Sequence, residues 1–324
     1  MPQRNLKDEI AKSNIQSLYV LFGEERFLVN HYAHEIEKKL GAKILFDGAV
    51  PVSEIIMAAE TLPFFGATEE RRMLLVRESK LFASGRKDDS EKMADYLPKI
   101  PPDTTLVFVE TEIDRRTRIF KKANELNAMF ECTPLSPSDL NKWVTKLAKG
   151  KQMPSAVVHH FLRVVGSGDM TNINNEAKKL ISFCGGKHEI TINDINEICT
   201  PTLESRIFDL TKAMSAGKTA AALKMYSDML TLKESPLMIL SMIIRQIRIM
   251  LLCKCLAEKT MGVASIVGQL KLRDFMVAEA LGHGKRFSKE RLVKALEDCL
   301  DIDVRIKTGL IGAEVGVELL LVNL

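Results

Sequence analysis

The turn after the first apolar run of the chain is a natural place to look for phosphate-binding chemistry. Residues 18–22 read LYVLF, and Gly23-Glu24-Glu25-Arg26 follow them. A P-loop at such a turn reads G-x-x-x-x-G-K-[ST], with backbone N–H groups and a lysine holding the phosphates. This turn has no second glycine and no lysine, and its two carboxylates would repel a triphosphate. The sequence therefore predicts a nucleotide-type site without the groups that bind nucleotide.

A second segment with phosphate-loop residues lies in the C-terminal third, at Gly217-Lys218-Thr219. It follows a predicted helix and not a strand, and the position of the first P-loop glycine is occupied by Lys212. We interpret Gly217 as the C-terminal glycine of one helix, followed by the N-cap of the next.

Residues 106–114, LVFVETEID, resemble a strand that ends in carboxylates able to position Mg²⁺. Those carboxylates would be Glu110, Glu112 and Asp114. Such a metal acts on a bound phosphate, and the turn after the first strand implies none. We therefore predict a solvated strand-to-helix turn here.

Histidines and cysteines form no recognisable catalytic or metal motif. His159 and His160 are adjacent and diverge on a helix, while His31 and His34 share a face but lack a third ligand nearby. The six cysteines show no CxxC pair and follow no secretory leader, which predicts reduced, mostly buried thiols in a cytosolic protein. No GxSxG element is present either. We predict no catalytic residue, no metal and no cofactor.

The segment TLPFFG, residues 61–66, places Leu62, Phe64 and Phe65 around a proline and ends at a glycine. Adjacent side chains diverge by about 100° in a helix and about 180° in a strand. One core cannot easily bury both phenylalanines from one regular element. At least one of them is predicted to face outward, although burial of the pair under two neighbouring elements is the alternative.

The elements that position these residues suggest two or three domains in 324 residues. Five short apolar runs alternate with helix-like segments in the first ~135 residues, as in a parallel sheet buried on both faces. They are LYVLF (18–22), KILFD (43–47), RMLLV (72–76), TLVFV (105–109) and MFECT (129–133). We predict a doubly wound α/β domain over residues 1–138.

The rest of the chain reads as helical. Residues 139–203 predict a small helical domain, with Ser138 as the N-cap of the helix that contains Trp143 and a Thr191-x-x-Asp194 helix start. Residues 204–324 predict an all-helical domain. Its apolar run from Pro236 is about the length of a membrane span but contains Arg245 and Arg248, so we predict a buried helix of a soluble protein.

Positive charge is concentrated in this last third. The whole chain carries a net charge of +4, and residues 245–294 alone hold 11 basic against 4 acidic side chains. Such a segment is either a solvated basic face or a footprint for phosphate. The candidate DNA-contacting residues are Arg245, Arg248, Lys271, Arg273, Lys285 and Arg286.

Four stretches in order, LYVLFGEERFLV, TLPFFG, GDMTNINNEAKKL and DVRIKTG, resemble the delta subunits of the bacterial DNA polymerase III clamp loader. The resemblance covers essentially the whole chain. It implies an AAA+ ATPase fold without a working phosphate loop over residues 1–138, a helical lid over 139–203 and a helical collar over 204–324. It also implies no active site of its own within a DNA-directed DNA polymerase holoenzyme, and a place in the cytoplasmic, nucleoid-associated replisome.

The resemblance further implies partners and a contact site. The partners would be the sliding clamp (beta), the gamma/tau motor subunits and delta-prime in a hetero-pentamer, and primed DNA through the complex, with no membrane. The clamp contact would be the adjacent pair Phe64 and Phe65, with Leu62 in support. Two alternatives stay open, an active AAA+ ATPase motor and a general DNA-binding protein that works through the six basic residues.

Overall fold

The computed structural model describes residues 6–41, 43–61, 71–148, 150–259, 262–272 and 274–323. The chain divides into two compact units, Met1–Pro134 and Leu135–Leu324. The boundary between the two units lies close to the predicted domain boundary at residue 138. The predicted division of the second unit into a lid and a collar at residue 203 stays a prediction.

Unit 1 is built on a five-stranded parallel sheet with the strand order β2-β3-β4-β1-β5. The strands are β1 (Leu18–Phe22), β2 (Lys43–Asp47), β3 (Arg72–Arg77), β4 (Thr104–Val109) and β5 (Met129–Glu131). The helices are α1 (Leu6–Ala11), α2 (Arg26–Leu40), α3 (Val52–Glu60), α4 (Lys87–Tyr96) and α5 (Arg118–Glu125), with a 3-10 helix at Leu97–Lys99. All five predicted strands are confirmed.

Burial explains the apolar strand sequences. Every residue of β1 and β4 is buried, and side chains such as Val20, Leu74 and Phe108 pack in one core with α3, α4 and α5. Helix α2 contacts β1, β3 and β4. Edge strand β2 differs, because Ile44 and Leu45 are exposed. The predicted burial on both faces therefore holds for the central strands and is wrong for β2.

Unit 2 is helical. Its helices are α6 (Pro137–Leu147), α7 (Ser155–Val165), α8 (Met170–Cys184), α9 (Ile192–Ile198), α10 (Leu203–Ser215), α11 (Thr219–Thr231), α12 (Pro236–Glu258), α13 (Val263–Leu270), α14 (Asp274–Gly284), α15 (Lys289–Lys307) and α16 (Ala313–Asn323). Thr191 and Asp194 form the predicted capping box of α9. Helix α6 corrects a prediction, since its N-cap is Ser136 and not Ser138. The Ser136 hydroxyl accepts the Asp139 N–H at 3.1 Å, and Pro137 occupies the first helical position.

Helix α12 is the centre of the larger core of unit 2 and packs against α10, α14, α15 and α16. Ile243, Ile247, Met250 and Cys253 are buried on one of its faces. Among the described residues it is the one helix long and apolar enough to span a membrane. The predicted burial of α12 holds for this face only, because its opposite face is exposed.

The cysteine prediction is confirmed for burial. Five of the six thiols are buried and free, and Cys255 is half-buried. Gly217 follows the end of α10 with a φ of 70°, as predicted for a helix C-terminal glycine, and Lys218 is the N-cap of α11.

Candidate functional site

The turn after β1 is closed by the segment that follows β5. Gly23 has a φ of 125°, and a Cβ atom built on it would lie 2.3 Å from the Cys132 carbonyl oxygen. The Cys132 N–H donates to the Phe22 carbonyl at 2.6 Å, and the Glu25 N–H donates to the Cys132 carbonyl at 3.0 Å. Glycine is required at this close approach. One N–H of the turn is consequently bonded within the protein.

A carboxylate of the chain occupies the N-terminus of α2. The Glu25 side chain is the N-cap of this helix and accepts the Phe27 N–H at 3.2 Å. The N-terminus of such a helix is where nucleotide-binding α/β domains hold phosphate, because the N–H groups and the helix dipole attract an anion. Here a negative charge of the chain already fills that role.

Arg26 joins the ends of three elements. Its guanidinium donates to the Glu110 carbonyl at 2.9 Å and pairs with the Glu78 carboxylate at 3.1 Å. Glu78 also accepts the hydroxyl of Thr111. The guanidinium at the start of α2 is thus bonded to residues that follow β3 and β4, at the carboxyl edge of the sheet.

Glu110 corrects a prediction. Its side chain lies in the interior with 1% of the residue exposed, whereas we predicted a solvated turn. Its carboxylate accepts the N–H groups of Ser79 at 3.1 Å and Lys80 at 3.3 Å, together with the Ser79 hydroxyl. Burial raises the pKa of Glu110 to about 7, although the hydrogen bonds from Ser79 and Lys80 act in the opposite direction.

The rest of that segment matches the prediction. Glu112 is exposed, and Asp114 binds the exposed guanidinium of Arg116 at 2.8 Å. Hydrogen bonds from Arg116 lower the pKa of Asp114 to about 2. Sequence reasoning missed that the first carboxylate after the strand points inward. A hydrogen-bond donor for a buried carboxylate was visible in the sequence, because Ser79 follows the end of the neighbouring strand β3 by two residues.

An open cavity of about 570 Å³ lies at this edge of the sheet. It is lined by Phe22, Gly23, Glu24, Arg26, Thr111, Ile113, Arg115, Glu131, Thr133 and Pro134. Arg115 pairs with Glu131 at 2.7 Å, and Arg26 is held as described. Both arginines that line the cavity are therefore paired with carboxylates of the same unit.

The predicted clamp-contact residues Leu62, Phe64 and Phe65 lie outside the described residues, but both flanks of their segment are described. Helix α3 ends at Glu60, and Thr61 follows in an extended conformation. The Arg72 guanidinium at the start of β3 donates to the Ala59 carbonyl at 2.7 Å and to the Thr61 carbonyl. These hydrogen bonds join the residue before the segment, Thr61, to the start of β3, and the sequence analysis did not predict them.

Arg71 adds a second anchor on the β3 side. Its guanidinium donates to the Pro102 carbonyl at 2.9 Å, to the Ser17 hydroxyl at 2.9 Å and to the Ile15 carbonyl. The adjacent arginines therefore hold the start of β3 from two sides. Residues 62–70 are flanked by firmly bonded backbone at both ends.

The described candidate DNA contacts lie on or beside three different helices. Arg245 and Arg248 are exposed on one face of α12, and Arg245 pairs with Glu204 at 3.0 Å. Lys271 is exposed at the left-handed C-cap of α13 with a φ of 52°. Lys285 and Arg286 follow the end of α14. Arg273 lies outside the described residues.

Fold and site together define a class of protein, an α/β domain of nucleotide-binding type whose phosphate position is filled by the chain itself, followed by a helical unit. Comparison of the sequence with models of known protein families shows which family within this class it resembles. Residues 19–133 match the model described as DNA polymerase III, delta subunit, and residues 204–324 match the model for the C-terminal domain of the same subunit. The chain belongs to the family of DNA polymerase III delta subunits.

Individual relatives agree with this assignment. The chain is 26% identical to DNA polymerase III subunit delta of Bacillus subtilis, over 97% of this chain and 94% of that one. It is 18% identical to the probable delta subunit of Aquifex aeolicus, over 73% and 70% of the two chains. The solved structure of the Bacillus subtilis DNA clamp loader delta protein superposes with a TM-score of 0.62 over 98% of both chains, at 26% identity.

These comparisons confirm the predicted family, and the structure confirms the predicted fold class of an α/β domain followed by all-helical structure. The chain is a delta-type subunit of the clamp loader family.

Proposed function

We propose that this chain binds the sliding clamp and opens its ring, so that the clamp can be placed on primed DNA, without hydrolysing ATP itself. The observation that supports the proposal is the set of hydrogen bonds from Arg71 and Arg72 at the flanks of residues 62–70. The same domain has the Glu25 carboxylate at the helix N-terminus where a phosphate would bind. The Bacillus subtilis relative of solved structure is a DNA clamp loader delta protein, which supports the same assembly.

The bonded N-terminus of α2 argues against ATP binding. A triphosphate at this edge would have to displace the Glu25 carboxylate from the Phe27 N–H and the Cys132 carbonyl from the Glu25 N–H. It would also approach Glu24, which is exposed beside the same turn. No lysine stands in the turn to compensate for these charges. Motor subunits of the same assembly would supply the hydrolysis.

Phe64 and Phe65, with Leu62 beside them, would supply the contact with the clamp. Burial of each phenylalanine in a partner's pocket contributes about 1.5–3 kcal/mol, part of which the cost of association offsets. Clamp opening requires no covalent step. It requires that the chain bind the opened ring more tightly than the closed ring, because a ligand shifts an equilibrium by its differential affinity.

In this proposal the remaining partners are the gamma/tau motor subunits and delta-prime, assembled as a hetero-pentamer. DNA would be reached through the complex, with the basic residues of unit 2 as candidate contacts. The site of action would be the cytoplasmic, nucleoid-associated replisome.

A titration of the chain with the sliding clamp tests the contact site. We expect Phe64→Ala/Phe65→Ala to weaken clamp binding by more than about 100-fold, since two buried aromatic side chains are lost. The control is Phe183→Ala, because Phe183 is an exposed phenylalanine of unit 2. Circular dichroism should show both variants folded. Unchanged clamp affinity in the double variant would refute the site.

The two alternative functions predict other measurements. An active ATPase motor would bind ATP with micromolar affinity and turn it over as an isolated chain. A general DNA-binding protein would bind duplex DNA alone, with an affinity that falls steeply as salt is added. Either result, combined with weak clamp binding, would replace the proposed function.

A further inference from the structure

Strand β2 is an edge of the sheet in unit 1, and β3 is its one hydrogen-bonded neighbour among the described strands. Its five residues, KILFD, include neither proline nor glycine, and their register with β3 is continuous. Ile44 is 43% exposed and Leu45 is 52% exposed. A regular edge strand with exposed apolar side chains can pair with a further strand, and folded proteins normally cover or interrupt such an edge.

The backbone groups on the outer side of β2 follow from its bonds to β3. Alternate residues of a strand direct their N–H and C=O groups to opposite sides. The Gly48 N–H, just after the strand, donates to the Arg77 carbonyl of β3 at 2.9 Å, so the even-numbered residues of β2 bond toward β3. The odd-numbered residues, Lys43, Leu45 and Asp47, therefore direct their backbone groups away from the sheet.

Side chains of β2 divide between its two faces. Phe46 packs against the core that unit 1 forms with α3, α4 and α5. The odd-numbered residues lie on the opposite face, where Lys43 pairs with Glu37 of α2 at 2.7 Å. Asp47 is exposed and pairs with none of the described residues. This face consequently has a cation at one end, a carboxylate at the other end and Leu45 between them.

The order of these side chains is complementary to its own reverse. In an antiparallel pair of two β2 strands centred on Leu45, the two copies of Leu45 lie opposite each other. Lys43 then lies opposite Asp47 at both ends, and Ile44 lies opposite Phe46 twice. Leu45 takes a hydrogen-bonded position, because its backbone groups face outward. Opposite charges and apolar side chains directly across a strand pair stabilise the pair.

Charge order favours a second copy over an unrelated strand. An extended peptide of another protein would use the same backbone groups, because main-chain hydrogen bonds give such pairing its affinity. Its side chains would also have to place a carboxylate opposite Lys43 and a cation opposite Asp47. The reverse of β2 has this order. Two-fold symmetry then repeats each favourable pair, as it does in a contact between identical chains.

We propose that two copies of the chain pair through β2, so that their two five-stranded sheets become one continuous sheet with a two-fold axis at Leu45. The contact is small, and small contacts between proteins are weak. We expect a dimer with a dissociation constant of about 10–100 μM. The inference rests on β2 alone and is independent of the proposed contact with the clamp.

Disulfide crosslinking of the full chain tests the register. Leu45→Cys should give a crosslinked dimer under mild oxidation, because Cα atoms of a hydrogen-bonded antiparallel pair are about 5.5 Å apart, within the range of a disulfide. Ile44→Cys is the matched control, since Ile44 is similarly exposed but lies opposite Phe46 of the second copy. Its yield should be at least about tenfold lower. The unmodified chain, whose cysteines are buried or half-buried, gives the background.

Sedimentation velocity over a series of chain concentrations tests the charges. Asp47→Lys should weaken self-association by about tenfold, because it places two lysines opposite each other at both ends of the pair. Lys43→Asp/Asp47→Lys exchanges the charges and should restore most of the association. Glu112→Lys, which reverses an exposed carboxylate elsewhere in unit 1, should leave it unchanged. Urea denaturation shows whether loss of the pair between Lys43 and Glu37 unfolds a variant.

Several results would overturn the proposal. A chain that stays monomeric well above the expected dissociation constant excludes the pairing. Equal yields from Leu45→Cys and Ile44→Cys would mean that the copies meet by collision and not in this register. Association that Asp47→Lys leaves unchanged would place the contact elsewhere on the chain, and failure of a folded double exchange to restore association would exclude β2 of a second copy as the partner. If the double exchange does not fold, the two cysteine variants decide.

Discussion

The carboxyl edge of the sheet in unit 1 and the outward face of α12 in unit 2 use their polar groups in opposite ways. At the sheet edge, Arg26, Glu25 and Glu110 each bond to other parts of the same unit. On α12, Arg248 stands exposed among apolar side chains, and the exposed Arg245 pairs only with Glu204 among the described residues. The sheet edge lies where a ligand would bind, but its polar groups are bonded within unit 1. The outward face of α12 leaves apolar side chains exposed.

In the proposed function the α/β domain works without nucleotide, and the first of these two regions supports that proposal. The ligand of such a fold normally binds at the carboxyl edge, beside the ends of the strands. Here hydrogen bonds of Arg26 and Glu110 join the ends of β3, β4 and the start of α2. Bonds within the chain therefore link these elements at the edge where such a fold normally binds its ligand.

Gly23→Ala is expected to have the largest effect on the carboxyl edge of the sheet, where Gly23 approaches the Cys132 backbone. The new Cβ would overlap the Cys132 backbone, and alanine is strained at a φ of 125°. We expect the free energy of unfolding to fall by more than about 3 kcal/mol, measured by urea denaturation. The control is Gly41→Ala, where φ is 76° but no atom lies within 4 Å, and the expected loss there is about 1 kcal/mol. Equal losses at the two positions would show that the Cys132 approach is not tight.

Glu110 gives the same edge a dependence on pH. Its pKa in the folded protein is raised to about 7 from an ordinary 4.5, so the folded state binds more protons than the unfolded state between these values. The free energy of unfolding should therefore fall as pH rises from about 4.5 to about 7, by at most about 1.4 kcal/mol per pH unit, and change no further above pH 7 through this group. Urea denaturation at intervals across this range measures the slope.

Glu110→Gln removes the titrating group while it keeps an acceptor for Ser79, so the variant should lose this part of the slope. Glu112→Gln is the matched control, because Glu112 is exposed two residues away. If Glu110→Gln retained the slope of the unmodified protein, other carboxylates would carry the pH dependence.

Sequence patterns predicted the strands well because each is an apolar run whose burial depends on local composition. They failed at Glu110, whose burial depends on Ser79 and Lys80, residues about thirty positions earlier that the sheet order brings alongside. They also missed Arg72, since its partners at Ala59 and Thr61 become neighbours only when α3 packs on β3. The sequence did not predict the exposed face of α12, because the mean hydropathy of this helix is as high as that of a fully buried helix.

Arg72 links the sheet to the segment proposed to contact the clamp. Arg72→Met should remove the bonds to the Ala59 and Thr61 carbonyls and lower the free energy of unfolding by about 1–2 kcal/mol. We also expect clamp affinity to fall by several-fold, because the ends of residues 62–70 would no longer be joined. Lys99→Met, a change at an exposed position of unit 1, is the control. A stable variant with full clamp affinity would show that this anchor does not position the contact.

The smallest expected effect compares two basic residues of α12 that differ in direction. Lys254→Met should cost about 1 kcal/mol in the free energy of unfolding, because the carbonyls of Gly284 and Phe287 lose a charged donor. Arg248→Met should change it by less than about 0.5 kcal/mol, since the side chain is exposed. Thermal and urea unfolding of both variants measure the difference. A large loss for Arg248→Met would mean that Arg248 supports the fold, and the contrast between inward and outward cations on this helix would no longer hold.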